Sequence, residues 1–429
     1  IPNYKTHHSL LGGQVFFSEN QITIGTSILR DIEKHPIPFN QVFLPDTLTV
    51  RHLLIGPFVE WAGAQFDISL EVNKKSTNEQ NPNQNGAGFY TDFNYYLGRW
   101  SLNLAYKNYH FLSLNPDERW DTVNYASGVI PFQQFPTVFH EHSTRLLNRI
   151  THQMDPNDEL GYQLRISGPL YRQHILSFEF SRASRHNNWL LDSEGIWKKE
   201  RGPSAIPLRT ATANPFSEWL LGLEGETQNN RLQYSIGLAK TKDLYNLVMA
   251  SETDNQNKTF LLEMVRAVSV PLQATISISG AWSLDLKYEY QHLTKGTWNR
   301  VWKNNSVIQD TIFSSFLKPT QVNQFISFGI GLAPRWSVTL LMDLSSTEEY
   351  LVVAEKQSAK KQFLESLLDG FIGSSLSWIS LEMVFNLTDR NRITLMAGSQ
   401  RGGILCSNGI CRYIQPFQNG IKIGFISLF

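Results

Sequence analysis

The chain has 429 residues with 38 Lys+Arg against 38 Asp+Glu, a formal net charge of zero that offers no field for nucleic acid. Aromatic residues make up 12% and charged residues 18%, the latter below the roughly 25% of soluble proteins. An apolar run of about 18 residues is missing, which excludes ordinary transmembrane helices and leaves strands as the route across a membrane.

In chain order, no basic and apolar leader opens the sequence at Ile1, so it reads as a mature or trimmed form. The dominant signal from there on is two-residue alternation. It runs through residues 65–72, 100–106, 162–167, 174–181, 219–226, 231–238, 284–291, 336–344, 379–385 and 392–400, with 10–17 as a further candidate. At 284–291, Leu284, Leu286, Tyr288 and Tyr290 point one way and Asp285, Lys287, Glu289 and Gln291 the other. Successive side chains of a strand face opposite sides of the sheet, so one face is apolar and the other charged. Arg165 and Arg231 fall on the polar side of their own segments. Asp285, Lys287, Glu289, Arg165 and Arg231 are therefore expected to face a lumen, and their mixed signs argue against strong ion selectivity.

A soluble β-sandwich alternates too. Against it stand strands often 10 to 12 residues long, aromatic residues at strand ends, and connections that alternate between short and long. Short turns fall near 18–20, 97–99, 168–171, 227–230, 279–283, 333–335 and 387–391. Long polar segments fall at 30–46, 73–86, 113–158, 183–214, 241–257, 301–322 and 345–372. Short turns belong in the periplasm and long loops outside. The expectation is an all-β, transmembrane, antiparallel up-and-down β-barrel of about 16 or more strands, one domain over residues 1–429, in the outer membrane of a Gram-negative bacterium.

A strand at 10–17 makes the count odd, whereas bacterial single-chain barrels close with an even number. Either that segment lies outside the barrel or further N-terminal strands precede this sequence. Residues 260–280, interrupted by Pro271, read as one long projecting strand or two short ones. Trp100, Trp282 and Trp336 each follow a short turn in related contexts, Arg-Trp-Ser or Ala-Trp-Ser, and are expected to form a periplasmic aromatic girdle.

Within the long segments, His140-Glu141-His142 would put two histidines on one strand face. Two ligands are too few for a metal, so a polar loop is the better reading. Residues 358–369 read as an amphipathic helix with Phe363, Leu364, Leu367 and Leu368 on one side. It would either plug the lumen, meet a partner or cover its own loop. At the C-terminus, Ile421, Ile423 and Phe425 alternate with Gly420, Lys422 and Gly424, and the sequence stops at Phe429. Such a strand is the mark by which the barrel assembly machinery recognises its clients for insertion. Cys406 and Cys411 flank an Asn-Gly turn signal. A local disulfide is preferred to zinc, which needs four ligands, and to a redox pair, which needs C-x-x-C spacing.

The stretch Gly398-x-Gln400-Arg401-x-Gly403-x-x-Cys406-x-x-x-x-Cys411-Arg412, with a Pro, a Gly and a terminal strand after it, resembles an uncharacterised family. These are outer-membrane β-barrel proteins of the Bacteroidota, a domain of unknown function. The likeness extends weakly through 284–292 and 334–346. Its members carry a further barrel-like segment before the equivalent of Ile1, where this sequence departs from them. The resemblance implies an outer-membrane location and supplies no activity.

Cofactor, nucleotide and hydrolase signatures are all missing, so neither an enzyme nor a cofactor is expected. The expected surroundings are outer-membrane lipids and other outer-membrane or surface lipoproteins. Two roles remain: a docking subunit of a surface complex, favoured slightly by the aromatic loops at 132–139 and 189–197, or a diffusion channel or substrate-specific transporter. A hydrophobic loop surface would favour docking, and a ring of charges on an inward loop would favour transport.

Overall fold

The structure is a computed structural model. It describes residues 7–36, 47–77, 85–111, 142, 144–150, 152, 158–191, 197–201, 204–227, 229, 231–245, 257–303, 306–314, 321–346, 376–388, 390–407, 410–414 and 416–427.

In the first half of the chain the strands are β1 (His7–Glu19), β2 (Ile22–Pro36), β3 (Thr47–Ala62), β4 (Phe66–Thr77), β5 (Gly86–Leu97), β6 (Trp100–Phe111), β7 (Asp158–Tyr171), β8 (His174–Ser184), β9 (Asn188–Leu191) and β10 (Trp197–Arg201). They continue as β11 (Phe216–Glu226), β12 (Leu232–Tyr245), β13 (Asn257–Ser277), β14 (Trp282–Lys303), β15 (Ser306–Ser314) and β16 (Gln321–Leu332). The last are β17 (Trp336–Ser345), β18 (Leu376–Thr388), β19 (Asn391–Gln400), β20 (Gly403–Ser407), β21 (Ile410–Ile414) and β22 (Phe417–Ser427).

Every pairing is antiparallel. β1 to β8 follow one another, then β11 to β14, β16 to β19 and β22, giving 17 up-and-down strands. β15 folds back on the outer end of β14 and completes an 18-stranded sheet. β9–β10 and β20–β21 are separate hairpins within outer connections. Among the described residues the sheet is not closed, with β1 at one edge and β22 at the other.

The alternation sets the two faces. Outward positions are exposed and apolar: Leu11, Val15 and Phe17 on β1, Ile24 and Ile28 on β2, Leu381, Met383 and Phe385 on β18, and Ile421, Ile423 and Phe425 on β22. Inward positions are polar and buried, among them Glu159, Glu218, Asp243, Glu289 and Asp343. An apolar exterior around a polar, ion-paired interior inverts a soluble protein and fits a sheet whose outer solvent is lipid. The short turns include left-handed residues where the chain reverses, Asn20 (φ 52) and Gly98 (φ 62).

Three features depart from the sequence reading or resolve it. Residues 10–17 lie in a full strand, so the crossing count among the described residues is odd. β13 is one continuous strand: Pro271 lacks the N–H of a ladder bond, and the pairing with β12 skips from Ile236↔Leu272 to Ala239↔Ser269. Gly237 makes the space, since a Cβ there would lie 2.9 Å from the Pro271 ring. Several expected loops are partly strand, because β2, β4, β12 and β14 run on past the apolar band, and the turn at 63–65 was not expected. Residues 132–141, including His140 and Glu141, the 358–369 segment and Phe429 lie outside the described residues.

Candidate functional site

The long connection between β6 and β7 does not stay outside the sheet. Its described residues, 142, 144–150 and 152, enter the lumen and carry one 3-10 turn, Leu147–Ile150. Residues 142, 145, 149 and 152 are His, Arg, Arg and His, a three- and four-residue spacing that gathers four cationic groups in and beside one short turn. Inward carboxylates on several strands meet them.

His142 Nε2 lies 2.6 Å from Glu218 Oε1 on β11, and Thr241 of β12 donates to the other oxygen of that carboxylate at 2.7 Å. The backbone N–H groups of Arg145 and Leu146 donate to the two oxygens of Glu289 on β14 at 2.9 and 2.7 Å. Gln291 returns a bond to the Leu146 carbonyl at 3.0 Å. Arg149 grips Asp343 of β17 through two bonds, of 3.2 and 2.6 Å. The Arg145 guanidinium approaches the same carboxylate at 3.5 Å and lies over the Phe325 ring. Arg401, just past β19, adds a third guanidinium at 3.1 Å and stacks on Trp378. Three guanidiniums thus share the buried Asp343, the charge-assisted, partly bidentate geometry that makes strong ion pairs.

His152 completes the clasp. Its ring bonds Asp243 of β12 at 3.1 Å, approaches Glu159 of β7 at 3.5 Å and stacks on Phe216. Burial alone would discharge it, but Asp243 and Glu159 overcome burial and hold its pKa up at about 9. His142 is also raised, burial being outweighed by its bond to Glu218. Lys107 donates to Glu159 at 2.9 Å inside the wall. Ile150 fills an apolar patch of Val265, Ala267 and Leu293, so the segment is both packed and ion-paired.

Below the segment lies a cavity of about 420 Å³ lined by Arg145, Asp285, Lys287, Glu289, Phe325 and Thr339, among others. A second, of about 790 Å³, is lined by Arg99, Gln173, Glu224, Glu226, Gln233 and Thr275 near the periplasmic turns. Gln273 lines both. Residues 144–150 thus lie across the lumen on the outer side of the smaller polar cavity.

The sequence-derived residues fall as follows. Asp285, Lys287 and Glu289 line the smaller cavity, where Asp285 accepts a bond from Thr275 at 2.7 Å. Arg165 pairs inward with Glu179 at 3.0 Å. Arg231 is exposed one residue ahead of β12, in the turn rather than in a strand. Trp282 and Trp336 meet edge to face at 5.4 Å at one strand-row height, and Trp100 lies over Gly168 of β7. Cys406 and Cys411 are direct cross-strand partners in the β20–β21 register, and their side chains lie outside the described residues. Sequence reasoning placed 113–158 outside and so missed Arg145, Arg149 and His152; the cationic spacing was the available signal.

No protein-family model matches the chain, and no curated protein matches it. Among solved structures, the copper transporter OprC is similar with a TM-score of 0.45 and 11% identity, over 99% of this chain and 65% of that one. The ferric yersiniabactin uptake receptor FyuA from Yersinia pestis gives 0.39 and 9%, over 91% and 51%. Salmonella typhi OmpF gives 0.35 and 10%, over 96% and 99%. The chain therefore spans less than two thirds of the first two. The class rests on the sheet itself: antiparallel, up-and-down, apolar outside and polar within, it is an outer-membrane β-barrel fold, and the protein is an outer-membrane protein.

Proposed function

We propose that the protein is a gated outer-membrane channel or transporter, non-catalytic, in which the 142–152 segment is the gate. The observation that carries this reading is the clasp itself: cationic groups of one loop segment fixed to Glu218, Asp243 and Asp343, with its backbone N–H groups on Glu289, across the lumen. A charged segment bound to charged walls can be released into water at far lower cost than an apolar plug. Planar-bilayer recording of the purified protein tests it. Wild type is expected to be silent or to open briefly, and an Asp343→Asn variant to open for longer. Equal silence from both, with the barrel folded, would refute gating.

A docking role in a surface complex draws on a different observation, the outer ends of β13 and β14 joined by β15 into a three-stranded extension above the membrane. Under that reading a deletion of β15 would release copurifying surface lipoproteins while leaving the bilayer traces unchanged. A Cys406–Cys411 disulfide would stiffen the outer β20–β21 hairpin in either case.

A further inference from the structure

Paired and unpaired charges occupy different parts of the lumen. Beside the clasp the inward carboxylates are engaged: Glu159 by Lys107, Glu218 by His142, Asp243 by His152 and Asp343 by Arg149. Nearer the periplasm, Glu224 and Glu226 of β11 and Lys287 of β14 line the two cavities and form no ion pair with a described residue. Lys287 stands between Asp285, which takes the Thr275 hydroxyl, and Glu289, whose oxygens take the Arg145 and Leu146 N–H groups.

Two inward rows of the register join these charges. Glu224 faces Ser235 of β12, Ser235 faces Gln273 of β13, and Gln273 faces Lys287. In the next row toward the periplasm, Glu226 faces Gln233, Gln233 faces Thr275, and Thr275 faces Asp285. The side chains of Gln233, Ser235 and Gln273 make no hydrogen bond to a described residue. In the opposite direction the row leaves Glu224 through Ile175 and Pro169, whose side chains offer no hydrogen bond, before the turn that carries Arg99. Open polar groups with an anion at one end and a cation at the other therefore run from Glu224 toward β14 and not toward β6.

We propose that this track binds short zwitterionic peptides, the α-ammonium on Glu224 and Glu226, the α-carboxylate on Lys287, and the peptide amides on Gln233, Ser235 and Gln273. The span fits. Strands lie about 4.8 Å apart, so the three spacings from β11 to β14 make about 14 Å, the length of about four extended residues. Charge-assisted bonds fix the two ends, and a few placed amides and hydroxyls orient what lies between. The proposal rests on the transporter reading and names its solute. The site lies on the periplasmic side of the clasp, so binding needs no opening of it.

The test is isothermal titration of the detergent-purified full chain with tetra-alanine, its N-acetylated form, its C-amidated form and the neutral sugar maltotetraose. Wild type is expected to bind tetra-alanine best. Glu224→Gln with Glu226→Gln should weaken it about 25-fold, on the order of fivefold per charge, and Lys287→Gln about fivefold. Lys287→Arg should restore binding, and Arg99→Gln should leave it unchanged. N-acetylation should cost affinity in wild type but nothing further in the double Glu variant, and C-amidation likewise with Lys287→Gln, a pattern that a general loosening of the wall does not give. Heat-shifted gel mobility verifies folding; should the double variant fail to fold, the Lys287 arm with the amidated peptide still decides. Equal binding of the capped peptides or of maltotetraose by wild type, or undiminished binding by the charge-removed variants, overturns the site. Peptide binding by a protein whose clasp variants stay silent in bilayers would refute gating alone, and gated currents without peptide binding would refute this site alone.

Discussion

Replacing Asp343 by Asn removes the carboxylate that Arg145, Arg149 and Arg401 share and leaves the guanidiniums facing one another. Breaking a buried ion pair on one side costs about 3–5 kcal/mol. Asn keeps the shape and two polar atoms, so the lower end applies, and 3 kcal/mol corresponds to about 150-fold in an equilibrium constant. That cost is relieved if the segment leaves the wall. The backbone N–H groups of Arg145 and Leu146 report the departure, because both donate to Glu289 only while the segment is seated. Hydrogen exchange by mass spectrometry should show residues 144–150 exchanging about a hundredfold faster in the variant, with longer openings in bilayers and the strands protected as before. Exchange of that segment at the wild-type rate, with unchanged current traces, would mean that Asp343 does not hold it and that the clasp reasoning fails.

Alkaline release is expected too. Both clasp histidines are held charged, so their contribution is fully present below the ordinary histidine value near 6.5 and is lost for His152 as pH rises through about 9. Open probability measured between pH 7 and 10 should rise, and His152→Lys should flatten that rise. Gly168→Leu would drive a side chain into the Trp100 ring; it should destabilise the barrel by about 1–3 kcal/mol, read as an earlier heat-induced gel shift. Ile423→Arg puts a charge on the exposed lipid face of β22 and should cost about 2–4 kcal/mol near the midplane, read by folding yield in lipid vesicles. Intact mass under non-reducing conditions should be lower by two hydrogens if Cys406 and Cys411 are joined, and Cys406→Ser should abolish the difference.

How much of this could be read beforehand depended on the range of each interaction. Alternation is local, so the faces of Leu284 to Gln291 were assigned from eight consecutive residues and Asp285, Lys287 and Glu289 do turn inward. Strand ends were harder, because the alternation of β14 continues to Lys303, past the point where lipid enforces it. Pro271 left one long strand and two short ones both open, because its accommodation depends on Gly237 of another strand. The turn after Ala62 was passed over since only Gly63 marks it, although the Gly63 N–H bonds the Phe66 carbonyl at 3.0 Å. The clasp escaped for the same reason at greater range. A polar loop sequence looks alike whether water or an acidic wall surrounds it, and the acids that receive Arg149 and His152 are on β17, β7 and β12.

The clasp also fixes an order of events. The segment emerges between β6 and β7, while its partners Glu218, Glu289 and Asp343 follow at separations of 76, 144 and 194 residues. Neighbouring strands can zip together as they appear, but contacts this distant in the chain form late. A partly assembled sheet therefore holds a cationic tether with nothing to grip. Seating of that tether marks the moment when the far wall, through β17, is in place, so the same residues that would close the finished passage also serve as a check on its completion.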